Sequence, residues 1–236
     1  MPRFVTKITK DKQKDKSDDI CICILSAGAG PRIKSYEPRS LIKIGNKFLI
    51  DHQIKTIQEC FNDPEIIAVV GYKSERLTKK IKEKCRIVEN QLHTISNNSE
   101  SMRLAFNNTT KKCFVFMHGD LYFNKNTLSE ADYSKSFIVV DNKNQMQDKE
   151  VGVTVVNNKA SILAYDLKTK WAQIAYITGK EYTILRNIFS KYSKTDKKML
   201  SFEIINKIVA MGGSFICHEP KKMSILEIDR IKDSKR

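Results

Sequence analysis

No stretch of this 236-residue chain approaches the roughly 20 consecutive apolar residues of a bilayer-spanning helix, and the basic N-terminus lacks the apolar segment of a secretory signal. A chain that is neither inserted nor exported is expected in the cytoplasm. The cysteines lack pattern: Cys21, Cys23, Cys60, Cys85, Cys113 and Cys217 form no CxxC pair and mostly lie in apolar stretches, which argues for reduced thiols over disulfides or zinc. Histidine is sparse, and His52, His93, His118 and His218 are too scattered to suggest a triad or a metal cluster. Acidic residues are in deficit, 27 against 42 Lys and Arg, so the formal charge of +15 attracts anions, whether nucleotides, nucleic acid or acidic surfaces. No internal repeat is present.

The chain does hold an ordinary globular composition, 41% hydrophobic and 29% charged, and enough length for one substantial core. Residues 1–18 are mostly polar, with six basic and three acidic side chains, and read as a flexible basic arm ahead of a single domain over 19–236. Ile20 to Leu25 is a continuous apolar run with a glycine-rich exit, the pattern of a buried central strand. Phe48 to Phe61 repeats apolar residues at helical spacing and stops at Asn62-Asp63-Pro64. Glu65 to Gly71 and Cys113 to Met117 read as further buried strands, with a basic helix from Ser74 to Lys84, capped by Ser74, between them. Ser101 to Phe106 reads as helix, then Phe137 to Val140 and Val151 to Val156 as strands around a polar turn. Trp171 to Ile177 reads as a strand, Glu181 to Phe189 and Met199 to Met211 as helices, and Phe215 to Cys217 and Ile225 to Ile228 as closing strands. Alternating strand and helix predicts an α/β fold, a single-domain Rossmann-like, mostly parallel mixed sheet flanked by helices.

Chemistry concentrates after the first strand. In Leu25-Ser26-Ala27-Gly28-Ala29-Gly30-Pro31-Arg32, small residues let backbone N–H groups approach an anion closely while an arginine reaches the same point. Ile33 occupies the third glycine position of GxGxxG, and the P-loop spacing is missing, so this is a phosphate cradle of another kind. A plain glycine turn is the competing reading. Separately, Phe114 to Asp120 puts a carboxylate just past a buried strand, at the edge where α/β sheets bind ligands, and such a carboxylate suits Mg²⁺. A turn cap by Asp120 is the alternative there.

The chain continues Pro38-Arg39-Ser40-Leu41, then Gly45-Asn46-Lys47-Phe48-Leu49-Ile50-Asp51-His52-Gln53. In order and spacing, Leu25 to Gln53 resembles the opening motifs of the sugar-phosphate and phosphocholine nucleotidyltransferase family, LAAGxGxRM, PKxL and GKPLLEHQ. The resemblance implies a GT-A-like fold in which Leu25, Ala27, Gly28, Ala29 and Gly30 wrap the nucleotide phosphates. It also implies that Arg32 holds the leaving pyrophosphate and that Arg39 contacts phosphate where the family has lysine, with Lys47 assisting. Arg39 keeps the charge but replaces a compact ammonium with a fork, and Pro31 removes one loop donor.

The same resemblance makes Asp120 a metal ligand and Asp229, in Glu227-Ile228-Asp229, its partner, although Arg230-Ile231 stands in place of the family's Thr-Pro. Thr94 to Ser101 resembles a stretch beside the nucleotide in choline-phosphate-type members, which points to Asn98; a helix cap is the equal alternative. Glu203 reads either as the family's inward glutamate or as a surface residue.

The implied reaction is Mg²⁺-dependent transfer of a nucleoside monophosphate from an NTP, with CTP or UTP favoured, to a small phosphorylated acceptor such as a sugar 1-phosphate or phosphocholine. One alternative is a GT-A glycosyltransferase, although Asp120-Leu121-Tyr122 lacks the second aspartate of a DxD motif. A noncatalytic nucleic-acid-binding protein fits the charge, but no base-reading module is present. A pseudoenzyme is the remaining alternative.

Overall fold

The computed structural model describes residues 19–28, 38–144, 146 and 149–228; the expected arm over 1–18 lies outside them. β1 (Ile20–Ser26) is buried along its whole length. Cys21, Cys23 and Leu25 enter one core, and Ile20, Ile22 and Ile24 enter the other, so the strand is sandwiched between two layers. The cysteines act as small hydrophobes there, and burial pushes the Cys21 thiol up to about 12.

The hairpin of β2 (Lys43–Ile44) and β3 (Lys47–Phe48) leads into α1 (Leu49–Cys60). Leu49, Ile50, Ile54 and Ile57 are buried on α1, and the helix stops where Phe61 turns extended. β4 (Glu65–Val70) returns parallel to β1. α2 (Ser74–Ile81) buries Leu77 and Ile81, but Ser74 does not cap it. Ser74 is itself the first helical residue, one position too late for an N-cap, and its hydroxyl donates to Glu89 at 2.8 Å.

β5 (Arg86–Glu89) lies parallel outside β4; after α3 (Asn98–Asn107), β6 (Cys113–His118) takes the other side of β1, also parallel. Beyond β6 the pairing changes. After β7 (Leu121–Phe123), the short α4 (Asn126–Ser129) and β8 (Phe137–Asp141), the chain forms a hairpin of β9 (Val151–Val156) and β10 (Lys159–Tyr165). β11 (Thr169–Ile177) is antiparallel to both β6 and β8. Two helices follow, α5 (Gly179–Ser190) and α6 (Ser201–Ala210), then β12 (Ile216–His218) parallel to β8 and β13 (Ile225–Glu227) antiparallel to β7. Glu203 serves α6 as a cap, accepting the Leu200 N–H at 2.6 Å.

Among the described residues the result is a nine-stranded sheet in the order β5-β4-β1-β6-β11-β8-β12-β10-β9. Helices α3, α5 and α6 supply the core on one face, and α1 and α2 supply it on the other. The expected α/β fold is found, but the mixed sheet is not mostly parallel as expected: pairing is parallel in the half around β1 and mainly antiparallel beyond β6, where hairpins replace helical crossovers. Ile22, Ile24, Ile57 and Ile67 are completely buried, each stabilising the fold by about 1.5–3 kcal/mol.

Candidate active site

The carboxyl ends of β1 and β6 are held together by the smallness of one residue. A Cβ on Gly119 would lie 2.2 Å from Ser26 Oγ and 2.9 Å from the Leu25 carbonyl, so only glycine fits between the strands. Its N–H donates to the Leu25 carbonyl at 2.9 Å. Ser40 Oγ donates to the Gly119 carbonyl at 3.0 Å and lies 2.9 Å from Ser26 Oγ. From α1, the buried Gln53 donates to the carbonyls of His118 and Leu121, each at 2.9 Å. One side chain thus closes both ends of the turn that presents Asp120.

Arg39, in a 3₁₀ turn over Arg39–Leu41, donates Nη1 to Asp120 Oδ2. The two side chains are only 14% and 12% exposed, which raises the importance of satisfying every charged atom. Asp120 Oδ1 is buried and meets no hydrogen-bond partner among the described residues. Leaving a buried acceptor so costs about 1–3 kcal/mol, more for a charged group, unless a donor or cation supplies the contact.

Asp120 and Arg39 open into a cleft of about 430 Å³, in the range of small-ligand sites. Leu25, Ala27 and Gly28 form one wall, and Ser96, Asn97, Asn98 and Ser101, at the amino end of α3, form the next. Buried Asn90 fastens that second wall, donating Nδ2 to Ser96 Oγ at 3.1 Å and to Ser101 Oγ at 3.0 Å. Asn98 Oδ1 accepts the Ser201 N–H at 2.7 Å, which turns its Nδ2 towards His118 Nε2 at 3.2 Å. Ser201 Oγ lies 3.0 Å from the same nitrogen, so His118 Nε2 is an acceptor and the ring proton belongs on Nδ1. Burial pushes the His118 imidazole below its ordinary value, against the pull of Asp120 and with help from Arg39. It is therefore neutral at pH 7.

The remaining wall comes from the antiparallel half, with Glu150, Tyr165, Trp171 and Gln173, and from Phe202 of α6. Glu227 joins it from β13, where it stands opposite Leu121, and the next N–H, of Ile228, donates to the Asp120 carbonyl at 2.8 Å. Gln173 Nε2 donates to Glu227 Oε2.

Of the residues singled out in the sequence, Leu25, Ala27, Gly28, Arg39, Asn98 and Asp120 line this one cleft. Ala29, Gly30, Arg32 and Asp229 lie outside the described residues. Lys47, expected beside the phosphates, is exposed on the β2–β3 hairpin and does not line the cleft. The hairpin is drawn towards α2 instead, with Lys80 Nζ 5.0 Å from the centre of the Phe48 ring. His118, Asn90, Gln173 and Glu227 line the cleft without having been assigned chemistry. His118 had a local signal, two residues before Asp120, and Glu227 had one in the stretch leading to Asp229; Gln173 had none.

The donor set bears on the implied Mg²⁺. Among the described residues no group of three or more His, Cys, Asp or Glu could hold a metal. The orphaned Oδ1 of Asp120 is nonetheless a hard oxygen in a buried position, and Mg²⁺ typically takes one or two carboxylates together with substrate phosphates and water. The residues present fit that mode of binding.

Residues 22–131 match the MobA-like NTP transferase domain family. The bifunctional protein GlmU of Koribacter versatilis is 36% identical over 56 residues, a stretch covering 24% of this chain and 12% of that protein's length. Among solved structures, the CTP:phosphocholine cytidylyltransferase of Streptococcus pneumoniae aligns with a TM-score of 0.74 at 21% identity, over 92% of this chain and 96% of that one. The inositol-1-phosphate CTP transferase of T. maritima aligns with a TM-score of 0.72 at 18% identity, over 91% of each chain. The nucleotidyltransferase resemblance is borne out, by the family match over residues 22–131 and by the fold over most of the chain. No described helix is long and apolar enough to cross a membrane.

Proposed function

We propose that this protein transfers a nucleoside monophosphate from an NTP to a small phosphorylated acceptor, releasing pyrophosphate, with Mg²⁺ held by Asp120 and Asp229. The observation that carries the reading is the convergence of Gly28, Arg39 and the unpartnered Asp120 oxygen in one cleft at the carboxyl ends of β1 and β6. The activity is assigned to one domain over 19–236.

Acceptor phosphate is already ionised at pH 7, so no general base is required. Its oxygen bonds to the α-phosphorus as the bond to pyrophosphate breaks. Positioning and charge neutralisation therefore carry the catalysis. Backbone N–H groups from Leu25 through Gly30 approach the phosphates, Arg32 holds the departing pyrophosphate, and Arg39 swings its fork from Asp120 to a phosphate oxygen. Asn98, beside the positive end of the α3 dipole, holds the nucleotide. When bound, Mg²⁺ supplies Lewis-acid neutralisation of the phosphate oxygens. Neutral His118 is a hydrogen-bond post for Asn98 and Ser201, not a proton donor. Lys47, away from the cleft, has no place in this scheme.

CTP or UTP is the proposed nucleotide; the two structural neighbours named for CTP support the former. The test is pyrophosphate release with Mg²⁺, pairing each of the four NTPs with sugar 1-phosphates, phosphocholine and phosphoethanolamine. Release with one pair establishes the class and both substrates. An absence of NTP binding and of release with every pair overturns it.

A further inference from the structure

Two buried hydroxyls lie directly behind the charged pair of the cleft. Ser26 ends β1, Ser40 follows Arg39, and both line the cleft although they are only 6% and 2% exposed. Ser40 Oγ carries one proton and faces two acceptors, the Gly119 carbonyl at 3.0 Å and Ser26 Oγ at 2.9 Å. Ser26 is the acceptor in the contact with Ser40, so its own proton still needs a partner, and among the described residues nothing else bonds to its hydroxyl. A buried donor left unused is costly. In the motif LAAGxGxRM alanine stands where this chain has Ser26, and PKxL leaves the place of Ser40 open, so the strand exit does not by itself call for a hydroxyl.

We infer that Ser26 is a substrate-contacting residue whose hydroxyl donates to a phosphate oxygen of the bound nucleotide. Ser40 serves it from behind: by donating to Ser26 it fills a lone pair and leaves the Ser26 proton for a ligand in the cleft. An anionic acceptor suits that place, because Ser26 packs against Gly119, the residue before Asp120, and Ser40 comes straight after Arg39. The inference rests on the nucleotidyl-transfer reading. Its distinctive claim is that a side chain of β1, and not only the backbone N–H groups of the turn, holds phosphate.

Two alanine variants of the full chain separate this contact from a brace between strands. Calorimetric titration with each of the four NTPs in Mg²⁺, without acceptor, identifies the nucleotide that the parent binds. For that nucleotide, Ser26→Ala should weaken affinity by about 10–100-fold, the loss expected for a hydrogen bond to a charged oxygen. Its melting temperature should stay within about 2 °C of the parent, because Ser40 keeps the Gly119 carbonyl as acceptor. Ser40→Ala should do the reverse, with NTP affinity within about threefold and a melting temperature lower by about 3–8 °C, since the buried Gly119 loses its donor. Unchanged NTP affinity in Ser26→Ala, or equal losses of affinity in the two variants, overturns the inference and leaves nucleotidyl transfer standing. A parent that binds no NTP and releases no pyrophosphate overturns both.

Discussion

The two halves of the sheet solve different problems. β1 and its parallel neighbours β4 and β6 are largely buried, and at the carboxyl ends of β1 and β6 Gly119, Ser26 and Ser40 pack closely. Beyond β6, pairing is mainly antiparallel, β10 and β11 are bulged, and the outermost strands are half-exposed; Val156 of β9 and Ile162 of β10 are 53% and 48% exposed. The first half is the close-packed edge on which the proposed phosphate and cation contacts rest. The second is a wall whose irregularities aim particular side chains, although Val153, Ala160 and Leu163 of β9 and β10 still enter the core. Close packing is thus concentrated where charge must be held without reorganisation.

Breaking the charged centre of the first half should have the largest effect. Asp120→Asn keeps the shape and removes the charge; pyrophosphate release should fall by about 10³-fold, with little change in thermal midpoint. Retained activity would remove Asp120 from the cation site.

Next comes the clasp beneath it. Gln53→Leu leaves the His118 and Leu121 carbonyls without their donor. The expected loss is about 2–4 kcal/mol, or roughly 5–15 °C in melting temperature. A melt within a degree of the parent would show that water replaces the clasp.

The contrast between halves can be sharpened with matched truncations. Ile22→Ala, at a completely buried site, should destabilise by about 2–5 kcal/mol, whereas Ile162→Ala should stay within about 0.5 kcal/mol in urea titrations. Equal effects would refute the proposed difference.

The smallest effect is electrostatic. Bonds from Lys207 and from the Ser193 side chain and backbone hold Asp196 at about 2, below its ordinary 3.8. A depressed folded-state value means stability fully present above the unfolded value and lost as pH falls from about 4 towards 2. Asp196→Asn should therefore lose about 1 kcal/mol or less at pH 7, and the difference from the parent should shrink across that acid window. A gap independent of pH would assign the loss to packing.

The parallel half was legible because its signals are local and redundant. Continuous β-branched runs, glycine at strand exits and an aspartate one residue past Gly119 each pointed to the same edge. The antiparallel half was less so. β10 mixes buried Ala160 and Leu163 with exposed Ile162, so its apolar residues follow no clean alternation. In β11 the bulge breaks the period of two around Gln173, which lines the cleft. Lys47 shows the reverse case, a charge at a familiar motif spacing that the short hairpin carries away from the cleft.

Residue order alone determined that this chain would bury β1 between two layers and end it at small residues, because hydrophobic period and residue size act over a few neighbouring positions. The Arg39–Asp120 pair, the Asn98–His118–Ser201 cluster and the Gln173–Glu227 contact join residues from 20 to 103 positions apart. Their geometry depends on strand register and crossover packing, which no local window contains, so only the tertiary structure could decide them.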